Sequence, residues 1–256
     1  SGEQVNDVLL TASYREEEEH YGSFAGVFAE LARRYSERYG DVSDAMARIA
    51  AKNHANGAHN PYAHLQKDLG FEFCSTSSDK NPYVAQPLRR TDCSMVSDGA
   101  AALVIAAPEI ANTAQKAVRW RGMGNANEAL PLDRRADPLV FSGARAAMDR
   151  ALAEAGIGIL DLSLLETHDC FTIAELLEYE AFGLAEPGRG AEAIESGLTT
   201  MGGDLPVNPS GGLKSKGHPL GATGVSMHVM AAAQLTGEAP GLAVPDAELA
   251  GVFNMG

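Results

Sequence analysis

The sequence predicts an α/β layered domain with a mainly parallel sheet, and three observations predict it. From residue 95 onward the order reads strand, strand, helix, strand, helix, loop, helix, strand, the alternation that βα units produce. The run 95–107 is continuously apolar after a turn, as in a strand buried on both faces. Two junctions that enter helices carry histidines, His168 and His218, where open α/β sheets form their binding crevice.

Each element has its own signal. Phe24, Val27, Phe28, Leu31 and Tyr35 recur at helical spacing, and Gly40 is placed to end that helix. Ser43 can cap a second helix through about residue 53, with Met46, Ile49 and Ala50 inside. Residues 53–92 are rich in Asn, Pro, Ser and Asp and predict loops with short pieces of structure. Residues 117–123 read as a further strand, and Ser142 as the cap of a helix over 143–155 that Gly156 terminates. A strand over 163–167 leads to His168-Asp169-Cys170-Phe171. Thr172-Ile-Ala-Glu175 then forms a capping box for a helix lined by Ile173, Leu176, Leu177, Ala181 and Leu184. Residues 225–233 read as an apolar helix and 249–256 as a last buried strand. The acidic run 16–19 reads as a solvated edge.

Composition narrows the function. A chain of 256 residues with 45% apolar and 21% charged residues is that of an ordinary globular protein with a sizeable core. A net charge of −14 argues against nucleic acid or an anionic membrane as partner, although a small basic pocket for a phosphorylated ligand remains compatible with it. No apolar run reaches the roughly 20 residues that cross a bilayer. Cys74, Cys93 and Cys170 offer neither a disulfide framework nor a metal knuckle, so a reducing, cytoplasmic setting is expected. His54, His59 and His64 recur every five residues, which is not one face of a helix, and no metal is expected there. Without an initiator Met, and with a strand cut off at its turn, both ends read as truncated.

The chemistry concentrates in two places. Residues 208–224 pack five glycines and two prolines around His218, just ahead of a helix, a setting suited to acid–base work or to a tight loop with a surface histidine. Cys170 lies at a helix N-terminus, which can favour a thiolate; the alternative is a small buried hydrophobe beside a structural His168. If the two turns converge, His168, Cys170 and His218 can supply oxyanion donors and a proton shuttle. No phosphate loop, dinucleotide fingerprint or hydrolase elbow is present.

These residues resemble a known family. Asn208-Pro-Ser-Gly-Gly with Gly217-His218-Pro219-Leu-Gly-Ala-Thr-Gly224, His168-Asp169-Cys170-Phe171 and Ser97-Asp98-Gly99-Ala-Ala-Ala102 are similar to the thiolases, specifically the sterol-carrier-protein-type branch. Asn53-His54 and 60–63 resemble that branch's lid. The resemblance implies a layered α-β-α-β-α fold: 1–92 a lid over coenzyme A, 93–115 the end of the N-terminal half, and 116–256 the C-terminal domain. It implies Claisen condensation or thiolytic cleavage of 3-oxoacyl-CoA through a cysteine thioester, with acyl-CoA and acetyl-CoA as partners and no resident cofactor. His218 would activate the nucleophile and donate to the thioester oxygen, Cys170 would be the acid–base cysteine, and His168 would hold the oxyanion site. Asn208, Ser210, Gly211 and Phe171 are expected to contact the substrate. The family's nucleophilic cysteine is expected outside this chain, and a homodimer or homotetramer follows by analogy. The alternatives are a non-catalytic acyl-CoA-binding or partner subunit, and a carbon–carbon lyase on the same fold.

Overall fold

The first helix, α1 (Phe24–Tyr39), buries the predicted face, with Leu31 and Tyr35 at 1% and 0% exposure. The structure is a computed structural model that describes Gln4, Asp7, Val8 and residues 20–255; the acidic run 16–19 lies outside the described residues. Ser23 caps α1 by accepting from the Gly26 amide at 3.0 Å. Gly40 ends it at φ 109°, a conformation that a side chain would disfavour.

Helix α2 (Ser43–Gly57) corrects the expected cap. Val42 holds the N-cap position, and the Ser43 hydroxyl and amide both donate back to Asp41 Oδ1, at 2.5 and 2.9 Å. The helix also runs past residue 53, and buries Asn53, Asn56 and Gly57. Beyond it come the predicted short pieces: α3 (Gly70–Ser75), then β1 (Tyr83–Ala85) paired antiparallel with β2 (Leu88–Arg89).

The predicted strands at 95–107 and 117–123 do not form among the described residues. Val104 and Ile105 are 97% and 76% exposed, and no ladder engages them. An apolar run supplies the side chains of a strand, but only hydrogen bonds to a neighbouring backbone make one. Residues 108–111 form the short helix α4 (Pro108–Ala111). Residues near 122–124 lie against helix α5 (Ser142–Ala155), where a Cβ on Gly124 would sit 3.1 Å from the Ala151 amide nitrogen. Gly156 ends α5 in the left-handed region as predicted. Phe141, not Ser142, is its N-cap residue, and the Ser142 hydroxyl donates to Glu128.

The parallel sheet is the part that positions the site. β3 (Leu164–Glu166) pairs parallel with β4 (Ala250–Val252), with Leu165 opposite Gly251. On its other side Leu165 pairs parallel with Val207, through Leu165 N to Pro206 O at 2.9 Å and Asn208 N to Leu165 O at 2.8 Å. Three chain segments therefore run side by side in one direction and end at one edge. Helix α6 (Thr172–Ala181) follows β3, buried along its whole length and packed by α1, α2, α5 and α7 (Gly190–Glu195). The capping box at its start is not formed: Phe171 is the N-cap residue, the Thr172 hydroxyl donates to Asp92 Oδ1 at 2.9 Å, and Glu175 points into the interior. Helix α8 (Gly212–Lys216) and helix α9 (Thr223–Leu235) follow within and after the glycine-rich loop.

Candidate active site

The carboxyl ends of the three parallel segments each deliver a polar residue. β3 leads to His168, the Val207 segment leads to the glycine-rich loop and His218, and β4 leads to Asn254. The His168 and His218 rings meet edge to face, with centroids 5.1 Å apart. Residues 93–97 lace the two turns together. Ser94 N donates to Cys170 O at 2.8 Å, and His218 N donates to Met95 O at 3.1 Å. The two histidine-bearing turns are thus side by side, with the His168 and His218 rings in contact.

The hydrogen bonds determine what His218 can do. The Thr223 hydroxyl donates to Pro219 O at 3.1 Å, so its oxygen accepts from His218 Nδ1–H at 2.7 Å. That leaves Nε2 as the unprotonated ring nitrogen. Burial, then the charges of His168 and Lys216, push His218 down to about 3, so it is neutral at physiological pH. His168 Nδ1 faces Asn254 Oδ1 at 3.1 Å, and burial pushes this ring down to about 4. Asn254 carries no sequence signal of its own beyond following a strand; only β3–β4 pairing brings it to His168.

Cys170 corrects an expectation. It is 4% exposed, and burial, followed by the nearby Glu178 and Asp169 carboxyls, pushes its thiol well above the ordinary value rather than below it. The helix N-terminus is outweighed by desolvation and like charge. Cys170 is therefore a thiol at neutral pH. Burial likewise pushes Cys74 and Cys93 up to about 11.

The four residues expected to contact substrate are occupied within the protein. Asn208 accepts from Thr167 N at 2.9 Å and donates to Glu175 at 3.1 Å. The Ser210 hydroxyl and amide donate to Glu166 at 2.6 and 3.0 Å. Gly211, at φ 97°, allows its loop to touch Gly57. Phe171 stacks on Phe28, with centroids 4.3 Å apart.

Beneath the histidines lies a buried charged network that no local pattern announces. Lys52 Nζ donates to Glu175 at 2.5 Å and Asn53 Nδ2 to Asp169 and Glu175 at 2.8 and 2.6 Å, while the Tyr179 hydroxyl donates to Glu175. Asp169 accepts from Leu213 N at 2.6 Å and so ties the His168 turn to helix α8 of the His218 loop. Burial, then the Glu175 charge, raises Asp169 above the usual carboxylate range. Among the described residues no group of three or more His, Cys, Asp or Glu side chains is arranged to hold a metal ion, and no helix is long and apolar enough to cross a membrane.

His54 provides a pH test of this packing. It is 4% exposed, its Nδ1 lacks a hydrogen-bond partner, and burial, then the Lys214 charge, pushes it from 6.5 down to about 3. A folded value below the unfolded one means that its contribution to stability is present above 6.5 and is lost as pH falls toward 3. His54→Leu should therefore gain on the wild type by about 1.4 kcal/mol for each pH unit below that value. Urea midpoints at neutral pH and at about pH 5 measure this; a difference that does not move with pH rejects it.

Two histidine-bearing turns meet at the carboxyl edge of the parallel sheet of an α/β protein, with the buried thiol of Cys170 in one of them. The profile of the family described as thiolase C-terminal domain-like matches residues 124–256, and the chain belongs to the thiolase family. It is 37% identical over 250 residues to an acetyl-CoA acetyltransferase of Methanothermobacter thermautotrophicus, covering 97% of this chain and 64% of that protein. It is 34% identical over 237 residues to sterol carrier protein 2 of Bos taurus, covering 90% of this chain and 43% of the relative. The chain thus spans less than two thirds of the length of these relatives. Two solved structures share the fold. An Ltp2-ChsH2(DUF35) aldolase superposes with a TM-score of 0.74 at 23% identity, over 84% of this chain and 56% of that one. A monomeric SCP2-thiolase like protein type 1 from Mycobacterium smegmatis gives 0.59 at 24%, over 79% of this chain and 43% of that one. The layered thiolase-like fold implied by the motifs is therefore the fold of this chain.

Proposed function

We propose that the chain supplies the acid–base half of a thioester-dependent acyltransferase, acting on acyl-CoA by condensation or on 3-oxoacyl-CoA by thiolysis. The observation that carries this reading is the convergence of His168 and His218, both neutral, with Nε2 of His218 left unprotonated by the bond to Thr223. A neutral imidazole can accept the proton of a nucleophilic thiol, and the resulting thiolate attacks the thioester or ketone carbonyl. His168 Nδ1–H donates to Asn254 Oδ1, so the neutral ring presents an unprotonated Nε2, and it serves the developing oxyanion once a proton has reached that nitrogen. Cys170 stands protonated, so its first act is to donate a proton to the departing enolate or thiolate, which carries it away; in the other half-reaction Cys170 regains a proton from the incoming coenzyme A thiol or from the α-carbon of the second acyl-CoA. On this reading the nucleophilic cysteine is one other than Cys74, Cys93 and Cys170, whose thiols burial pushes up.

The full-length protein should cleave acetoacetyl-CoA in the presence of coenzyme A, and Cys170→Ser should lower the rate by about 10²-fold or more, because a hydroxyl is a far weaker acid. Loss of the 3-oxoacyl thioester absorbance, with acetyl-CoA as product, measures this. No turnover by the wild type, with acyl-CoA still bound, would instead favour the partner-subunit reading. Cleavage without coenzyme A to a free aldehyde or ketone would favour a carbon–carbon lyase.

A further inference from the structure

We propose that residues 52–65 are a positioning template for the loop that carries His218, with Lys52, Asn56 and Asn60 each gripping one of its carbonyls. Lys52 Nζ donates to Val207 O at 3.0 Å, Asn56 Nδ2 to Asn208 O at 3.0 Å and Asn60 Nδ2 to Ser210 O at 2.8 Å. The three donors are 9%, 5% and 1% exposed, so water does not compete for these carbonyls. Lys52 and Asn56, four residues apart, stack along one face of α2, and Asn60 follows in the turn after the helix, which matches the direction in which the loop advances.

The template continues past the helix. Leu65 N donates to Ser215 O at 3.1 Å, His64 N to Lys216 O at 3.3 Å, and the Ser215 hydroxyl returns a bond to Leu65 O at 2.6 Å. Contacts therefore run from Val207 to Lys216, ending two residues short of His218. The loop closes one turn of its own, from Gly211 N to Asn208 O at 2.9 Å, and its remaining shape is held from outside. Asn208 sits at φ 55°, a left-handed conformation that non-glycine residues adopt at a cost, and it persists where its surroundings impose it. Gly57 and Gly211 meet without side chains between them, which lets the helix approach closely enough for the carboxamides to reach. These residues act through the loop, and a displacement of about 1 Å at a catalytic group is enough to lower a rate by up to about 10²-fold.

The kinetic part of this inference rests on the acyl-transfer reading, so its test has a second readout. Asn56→Ala and Asn60→Ala are made in the full-length protein, and amide hydrogen exchange is followed alongside acetoacetyl-CoA cleavage. Residues 208–218 should exchange about tenfold faster while Phe24–Tyr39 is unchanged. The kcat should fall about tenfold with KM within about twofold, and Asn56→Gln, which keeps the carboxamide, should recover part of it. Asn60→Ala also frees the Tyr62 amide that Asn60 Oδ1 accepts, so Asn56→Ala is the variant to rely on if the other fails to fold. Exchange that is unchanged, or faster everywhere, overturns the template. Faster exchange in the loop with an unaltered kcat overturns its positioning role. Faster exchange in a protein whose wild type has no thioester activity upholds the template and removes the acyl-transfer reading instead.

Discussion

His218→Ala is expected to lower coenzyme A-dependent cleavage of a 3-oxoacyl thioester about 10³-fold in the full-length protein, with folding largely retained. The side chain lies at the carboxyl edge of the parallel sheet, and its Nδ1–H is spoken for by Thr223, so the reactive nitrogen is Nε2. Removing it leaves the thiol nucleophile without a base and the thioester oxygen without that donor. Thr223→Val separates orientation from chemistry: it keeps the ring but releases Nδ1, and should cost about tenfold. Steady-state kcat and KM with acetoacetyl-CoA decide the matter. A His218→Ala protein that retains more than about a tenth of wild-type turnover would place the base elsewhere.

Lys52→Met should destabilise the fold by about 3–5 kcal/mol, the range for breaking a buried ion pair from one side. Lys52 Nζ is bonded to Glu175, Tyr179 and Val207 O, and its partner Glu175 is 0% exposed. The methionine fills similar space, so the loss reports the uncompensated carboxylate rather than a cavity. Combining it with Glu175→Gln removes that charge and should restore a large part of the stability, a non-additivity that a double-mutant cycle in urea reads directly. A single-variant loss below about 1 kcal/mol would mean that the pair is solvated in solution.

Much of this was legible in the residues themselves. Helix α1 follows from five apolar positions at helical spacing and a terminal glycine, both local properties of the chain. The two histidine turns are equally local, since glycine and proline density limits what the backbone can adopt around His218. Their motifs led to the family and its layered fold. The capping box at Thr172–Glu175 misled for an instructive reason. A Thr and a Glu three residues apart suit a helix end, yet Asp92 and Lys52 lie 80 and 123 residues away in sequence and offer stronger, buried partners. The same competition redirected Ser43 to Asp41 and Ser142 to Glu128.

The sequence by itself therefore determined the longer helices and the α/β class, and it singled out the turns that carry His168, Cys170 and His218. All of these depend on spacing and residue type within a few turns of chain. Only the tertiary structure decided their state. Cys170 is a thiol because burial and two carboxyls surround it, and His218 presents Nε2 because Thr223 takes Nδ1. Whether 95–107 becomes a strand was likewise not a local matter, because a strand exists through the backbone of its neighbour. Protonation, tautomer and pairing are properties of the surroundings, and the surroundings are assembled from residues far apart in the chain.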